Sequence, residues 1–400
     1  VLESAFQLAG AATDFLEWGV RMAVRTIGVA LNGVTGRMGY RQHLVRSILA
    51  IRERGGIRVG DDVLVPEPLL VGRNAAKLKE IAERHDLPRW TTDLDAALGD
   101  PDVSVYFDAQ VTSAHVSALT AAIDAGKHVY SEKPVAATPE EVRDLARHAD
   151  AAGVKHGVVA DKLYLPGIRK LRRLLDSGFF GRVLSVRGEF GYWVFEGDWQ
   201  TAQRPSWNYR AEDGGGIVVD MFCHWSYLLE GLLGPVEAVT ARAVTHIPER
   251  WDENGDPYAA TADDAAYAIF EMAGGVVAQV NSSWTTRVRR DELVEFQVDG
   301  THGSAVAGLR NCAVQHRTMT PKPVWDPDVP SSIDFRSQWR EVPDNEVFDN
   351  GFMVQWEEFL KHVAVGAPFA HDFHSGVRGV RLATLGLESS RTGRRIEVPA

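Results

Sequence analysis

The stretch VRTIGVALNGVTGRMG, residues 24–39, decides how the chain is read. It opens as an apolar run of strand length and turns glycine-rich, and from His43 onward HLVRSILAIRERGG repeats apolar residues at helical spacing. Strand, glycine turn and helix in that order make a phosphate site. Gly33, Gly36 and Gly39 can take positive φ and let backbone amides approach a pyrophosphate, while the helix amino end adds partial positive charge. The spacing is Gly-x-x-Gly-x-x-Gly, with Thr35 where the commoner dinucleotide fingerprint has its second glycine. Thr35, Arg37 and Met38 are therefore candidate cofactor contacts beside the glycines.

Working outward, the next strand reads EPLLVGRN, and the position for an acidic grip on a ribose 2′-hydroxyl holds Gly72, followed by Arg73 and Asn74. A carboxylate would repel a 2′-phosphate and arginine would pair with it, so the expected cofactor is NAD(P), leaning to NADP. The intervening GGIRVGDDVLVPE, residues 55–67, reads as a loop or ragged strand start. AAKLKEIAERH is then a helix, DVSVYFDA a strand, HVSALTAAIDAG a helix and HVYSEKP a further strand end, an alternation that predicts a parallel sheet with right-handed crossovers. Gln110, Thr112 and His115 follow one strand and Glu132, Lys133 and Pro134 another, all on the sheet edge where open α/β folds bind ligands. An isolated Glu-Lys-Pro is most often a surface lysine after a strand. Here it falls between two other matched parts, the glycine turn and a glycine-led helix downstream.

That helix, GGGIVVDMFCHWSYLLEGLLG at residues 214–234, places Asp220 and His224 one turn apart on one face, within joint reach of a single substrate atom. Such a pair is more often a structural hydrogen bond, and as a metal site it lacks a further ligand at matching spacing, so no metal is expected. The preceding WQTAQRPSWNYRAED offers Trp207, Asn208, Tyr209 and Arg210 for the apolar face and hydroxyls of a sugar ring, and Lys162 and Tyr164 emerge from the strand VKHGVVADKLYLP. From about residue 180 the pattern alternates in strand fashion, predicting four to six long, mostly antiparallel strands, with a charged, proline-rich surface excursion from Pro321 to Pro343. The fold class is thus α/β: a Rossmann doubly wound sheet (22–160), a substrate-binding and oligomerisation α+β domain with a large open sheet (161–370), and a closing helix and strand (371–400).

The glycine turn, Glu132-Lys133-Pro134, the helix with Asp220 and His224, and the closing SSRTGRRIEV together resemble the glucose-fructose oxidoreductase, inositol dehydrogenase and rhizopine-catabolism (Gfo/Idh/MocA) family. The resemblance implies catalytic roles for Lys133, Asp220 and His224 around a carbinol, cofactor contact from the backbone near Glu132 and Pro134, and a homodimer or homotetramer built on the open sheet. Two departures stand out: Ala109-Gln110-Val111-Thr112 replaces the family's Ala-Thr-Pro-Asn, and Lys162 replaces an arginine. The implied reaction is reversible oxidation of a secondary alcohol on a sugar, cyclitol or glycoside. Rival readings are an NAD-dependent glycosidase working by transient oxidation and elimination, and a non-catalytic dinucleotide-binding regulator.

Composition sets the outer bounds. Four hundred residues, 45% of them hydrophobic and 24% charged, support a sizeable core, and a formal charge of −11 argues against a nucleic-acid partner. Only Cys223 and Cys312 occur, which fits a reducing, cytoplasmic compartment. Residues 1–21 carry acidic groups among apolar ones and no basic lead, so they are expected to be an extension, neither signal peptide nor membrane span, with Met22 as a natural start.

Overall fold

The computed structural model describes residues 23–399, so the expected extension at 1–21 lies outside the described residues. The first sheet runs β1 (Val24–Asn32), β2 (Ile57–Val59), β3 (Asp62–Val71), β4 (Trp90–Thr91), β5 (Val103–Asp108), β6 (His128–Ser131) and β7 (His156–Val158). Its spatial order is β2-β3-β1-β5-β6-β7, with β4 beside β3, and all pairings are parallel except β2 with β3. Parallel strands covered on both faces must be apolar on both, and β1 and β5 each end in an unbroken buried run. Register aligns Asn32 with Asp108 and Asp108 with Ser131. The glycine turn, the loop at Gln110 and the Glu132-Lys133-Pro134 loop therefore leave one edge side by side.

Residues 55–67, expected as a loop or ragged strand start, form a hairpin. Gly60 and Asp61 close a two-residue turn between β2 and β3, and Gly60 takes a φ of +62°. The alternation across this turn was too short to stand out from the surrounding glycines.

The second sheet has nine strands rather than four to six: β8 (Val183–Gly191), β9 (Val236–Val244), β12 (Ala265–Met272), β13 (Val277–Ser283), β14 (Val294–Gly300), β15 (Gly303–Gly308), β16 (Cys312–His316), β17 (Arg340–Glu341) and β18 (Ile396–Glu397), with a separate hairpin of β10 (Glu249–Trp251) and β11 (Pro257–Ala259). It is antiparallel except where β8 lies parallel to β13. Its two outermost members, β17 and β18, are two-residue edge strands whose sequences carry little periodicity.

Helix Ile217–Leu233 covers one face of this sheet, burying Phe222, Trp225 and Leu229 against Val186, Phe270 and Phe296. Helix Gly351–Val365 does not join it. Its Phe352, Trp356 and Phe359 pack with Val29, Phe107 and Tyr130 on the first sheet. The final helix, Phe373–Thr392, begins in the first core with Phe373, Val377 and Val380 and ends in the second with Leu382 and Ala383. Glycines on it permit close approach to the other elements. A Cβ at Gly376 would lie 3.2 Å from Val135, at Gly379 3.4 Å from the Cys223 backbone, and at Gly386 2.5 Å from the Phe222 ring. This helix consequently holds the Lys133 loop and the Asp220 helix at a fixed separation. Gly386→Val should force Phe222 off its packing and cost about 1–3 kcal/mol in urea-unfolding stability.

Candidate functional site

Gly33 has a φ of +83°, and a Cβ there would sit 2.5 Å from the Ala109 carbonyl. Only glycine lets the first turn nest against the loop after β5. The helix Gly39–Leu49 that follows has no side-chain cap, and its Tyr40 amide already donates to the Gly36 carbonyl, so a dinucleotide pyrophosphate would fit against the turn that precedes it. Thr35 reaches the end of β3, its methyl 3.6 Å from where a Gly72 Cβ would stand, while Arg37 and Arg73 are exposed.

Across the sheet edge, Lys133 Nζ donates to Asp220 Oδ1 at 2.5 Å and to the Asp220 carbonyl at 3.0 Å. The amine of the first half thus meets the helix of the second. Arg204 Nη2 donates to Asp220 Oδ2 at 3.0 Å, and its guanidinium stacks on Trp284 with 4.1 Å to the ring centroid. Asp220 is therefore clamped between two cations. Burial opposes its charge, but Lys133 and then Arg204 overcome this and hold the carboxyl below the usual carboxylate range. Burial likewise opposes the Lys133 ammonium, and Asp220 outweighs it, raising its pKa. Val135, Val158, Ala160, Cys223 and Gly379 supply the apolar surroundings.

His224 differs. Burial, then the Lys133 and Lys162 charges, push its imidazole well below its ordinary pKa, so it is neutral near pH 7. Its Nδ1 lies 2.6 Å from the Tyr227 hydroxyl, and among the described residues its Nε2 makes no hydrogen bond. The Tyr227 oxygen also accepts from the Lys162 amide at 3.3 Å and lies 3.5 Å from Asp161 Oδ1, whose other oxygen takes the Lys162 ammonium at 2.6 Å.

The Lys133 loop is anchored from behind. Trp356 Nε1 donates to His43 Nδ1 at 3.0 Å, which leaves the His43 Nε2 proton to donate to Glu132 Oε1 at 2.8 Å. The Glu132 side chain thus serves as a buttress and not as a cofactor contact, and only its backbone remains available in that role.

Several other expected contacts are turned away by their own partners. The two ring nitrogens of His115 face the carbonyls of Pro134 and Gln110, so this buried side chain staples two loops together. Gln110 folds back on Asp108, and Asn74 caps the helix Ala75–Arg84 through the Lys77 amide. Tyr164 donates to Glu358. Asn208 and Tyr209 are buried, the latter under Arg250 and against Trp284, and Arg210 stacks on Tyr258 of the β10–β11 hairpin. Trp207 stays exposed, Lys162 half-buried, and Thr112 opens the helix Thr112–Asp124. Sequence reasoning missed Arg204, Tyr227, Asp161, His43 and Trp356. For Tyr227 a signal existed, since it stands three residues beyond His224 on the same helix face.

Asp150, His156 and His374 also converge, within 4.8 Å of one another. The Phe373 amide donates to His156 Nδ1, so the Nε2 of the neutral ring carries its proton and gives it to Asp150. His374 bonds the other Asp150 oxygen, and the three form a closed hydrogen-bonded set.

Comparison with known proteins agrees with this architecture. Residues 64–159 match the model for an oxidoreductase family with an NAD-binding Rossmann fold, and residues 168–306 match the GFO/IDH/MocA C-terminal domain. The chain belongs to the GFO/IDH/MocA family: it is an NAD(P)-dependent oxidoreductase that moves a hydride between a nicotinamide cofactor and a CH–OH group of a sugar-like substrate. It is 60% identical over 378 residues to a D-xylose dehydrogenase of Paenarthrobacter nicotinovorans, covering 93% of this chain and 97% of that one. It is 28% identical over 243 residues to a levoglucosan dehydrogenase of Pseudarthrobacter phenanthrenivorans, covering 57% and 61%. A structure of levoglucosan dehydrogenase with NADH and levoglucosan shares the fold at a TM-score of 0.77 and 23% identity, covering 94% of this chain and all of that one. The glycosidase and regulator readings are not favoured, since the named relatives are dehydrogenases and reductases. No helix among the described residues is long and apolar enough to cross a membrane.

Asp220→Asn should leave two part-buried cations uncompensated and cost about 3–5 kcal/mol near neutral pH. Because the folded pKa of Asp220 is depressed, its contribution is fully present above the ordinary carboxylate value of about 3.9 and is lost as pH falls toward the folded value. Urea unfolding of both proteins from pH 7 to pH 3 should show the gap narrowing.

Proposed function

We propose that the chain is an aldose dehydrogenase that oxidises the anomeric hydroxyl of D-xylose or a closely similar pentopyranose. The reaction rests on one observation: Lys133 bonds Asp220 across the two halves of the fold, one helical turn before His224. The substrate class rests on the high identity to a D-xylose dehydrogenase. The C1 hemiacetal is the most easily oxidised carbinol of an aldose, because its product is a lactone.

When bound, the nicotinamide accepts the hydride from the carbinol carbon. The chain's own residues handle the proton. His224 Nε2, neutral and without a hydrogen-bond partner among the described residues, takes it from the hydroxyl, Lys133 stabilises the developing alkoxide, and Asp220 holds the ammonium in place with help from Arg204. Lys162 and Trp207 remain the best placed of the expected substrate contacts.

Lys133→Ala and His224→Ala should each lower kcat by about 10²–10⁴ while leaving cofactor Kd within a few-fold, measured by reduced-nicotinamide absorbance against a panel of pentoses, hexoses and inositols. Wild-type turnover in both variants would dismiss the assignment. Since the neutral imidazole is the active form and its pKa is depressed, the acid limb of kcat/KM for oxidation should lie below the ordinary histidine value of about 6.5.

NADP is the proposed preference, supported by Gly72 where a carboxylate would stand and by the exposed Arg73 and Arg37 beside it. Arg73→Ala should weaken NADP binding about tenfold or more and barely alter NAD binding, by titration calorimetry. The proposed oligomer is a homodimer or homotetramer through the open face of the second sheet, where Tyr267, Ile269 and Val277 lie exposed together on β12 and β13.

A further inference from the structure

We propose that Tyr227 and Asp161 are positioning residues that fix the tautomer of His224 and stabilise the imidazolium it becomes, an inference that rests on His224 being the proton acceptor. The distances carry it. One hydroxyl proton of Tyr227 has two acceptors in reach, His224 Nδ1 at 2.6 Å and Asp161 Oδ1 at 3.5 Å. If the proton points at the imidazole, Nδ1 is an acceptor, Nε2 carries the ring's hydrogen, and His224 cannot take a proton from a substrate hydroxyl. If it points at the carboxylate, the tyrosine oxygen accepts from His224 Nδ1, and the Nε2 lone pair faces the site.

Hydrogen-bond accounting favours the second arrangement. In it the tyrosine oxygen accepts from the Lys162 amide and from His224 and donates to Asp161, so the buried oxygen and carboxylate are all paired. In the first, Asp161 Oδ1 would be buried with no donor among the described residues, because the Lys162 ammonium engages Oδ2. An anionic carboxylate is also the stronger acceptor. Lys162 holds Asp161 in place, so it contributes to the site through its backbone amide and its charge together.

The same chain acts after proton transfer. The proton taken up at Nε2 leaves the Nδ1–H donor on the tyrosine oxygen, now charge-assisted, and the Asp161 charge lies behind it, the arrangement by which a third group orients and steadies a catalytic imidazole. The other charged or titratable groups facing this pair are Lys133, Lys162 and Asp220 around the imidazole, and Glu132, Cys223 and His371 around Tyr227.

The test compares the full-length wild type with Tyr227→Phe, Asp161→Asn and His224→Ala, using D-xylose and both nicotinamide cofactors. Tyr227→Phe, which is nearly isosteric, should lower kcat about 10- to 100-fold, a part of what base catalysis supplies, with cofactor Kd unchanged. Its acid limb should move to still lower pH, since the imidazolium loses its acceptor. Asp161→Asn should move the limb the same way. A merely structural role would admit water, relieve the desolvation of His224 and move the limb upward toward the ordinary value. An upward shift, or wild-type kcat and pH profile in both variants beside an inactive His224→Ala, overturns the proposal and leaves the base assignment standing. Turnover in His224→Ala removes the base assignment itself. Nitrogen-15 NMR of histidine-labelled protein reads the tautomer without turnover: Nδ1–H in the wild type supports the proposal, and Nε2–H refutes it, also if either variant fails to fold.

Discussion

The ion pair between Lys133 and Asp220 joins two sheets that share no strand. Such a pair forms only if the backbone holds its members within a few tenths of an ångström, because long side chains alone would trade it for water. The final helix supplies this constraint. It is seated in both cores, and its glycines let the Val135 loop and the Cys223 backbone press against it at near-contact distance. Side chains at those positions would wedge the two halves apart, and the crevice between them is where chemistry is proposed.

Within that frame, charge is apportioned unequally. Asp220 faces two cations and stays ionised despite burial, while His224, in the same helix, faces two lysines and stays neutral. A cation and a neutral base side by side are what removal of a hydride and a proton from one carbinol requires: one to hold developing negative charge, one to accept the proton. The desolvation that would be a liability for stability is what separates the two proposed roles.

The loop bearing Lys133 is itself braced by polar contacts inside an apolar core. Trp356, His43 and Glu132 form a chain in which each donor has one acceptor, running from helix Gly351–Val365 through the first crossover helix to the loop. A half-satisfied chain of this kind would cost more than an apolar replacement, so its completeness is what makes it an anchor. Helix Gly351–Val365 thereby serves the cofactor side of the molecule although it follows the substrate sheet in sequence.

The sequence by itself determined what depends on local pattern. Strand, glycine turn and helix around Gly33, the lysine at the end of β6, and the pairing of Asp220 with His224 on one helical face all follow from periodicity and from the steric freedom of glycine. Tertiary structure alone decided which polar side chains meet. Arg204 reaches Asp220 while Arg210, in the same loop, turns to Tyr258; Tyr209 is buried under Arg250; Asp161 approaches Tyr227 from 66 residues away. Residue type sets what a side chain can bond, but the partner is chosen by where distant backbone segments converge, and no short window of sequence carries that information.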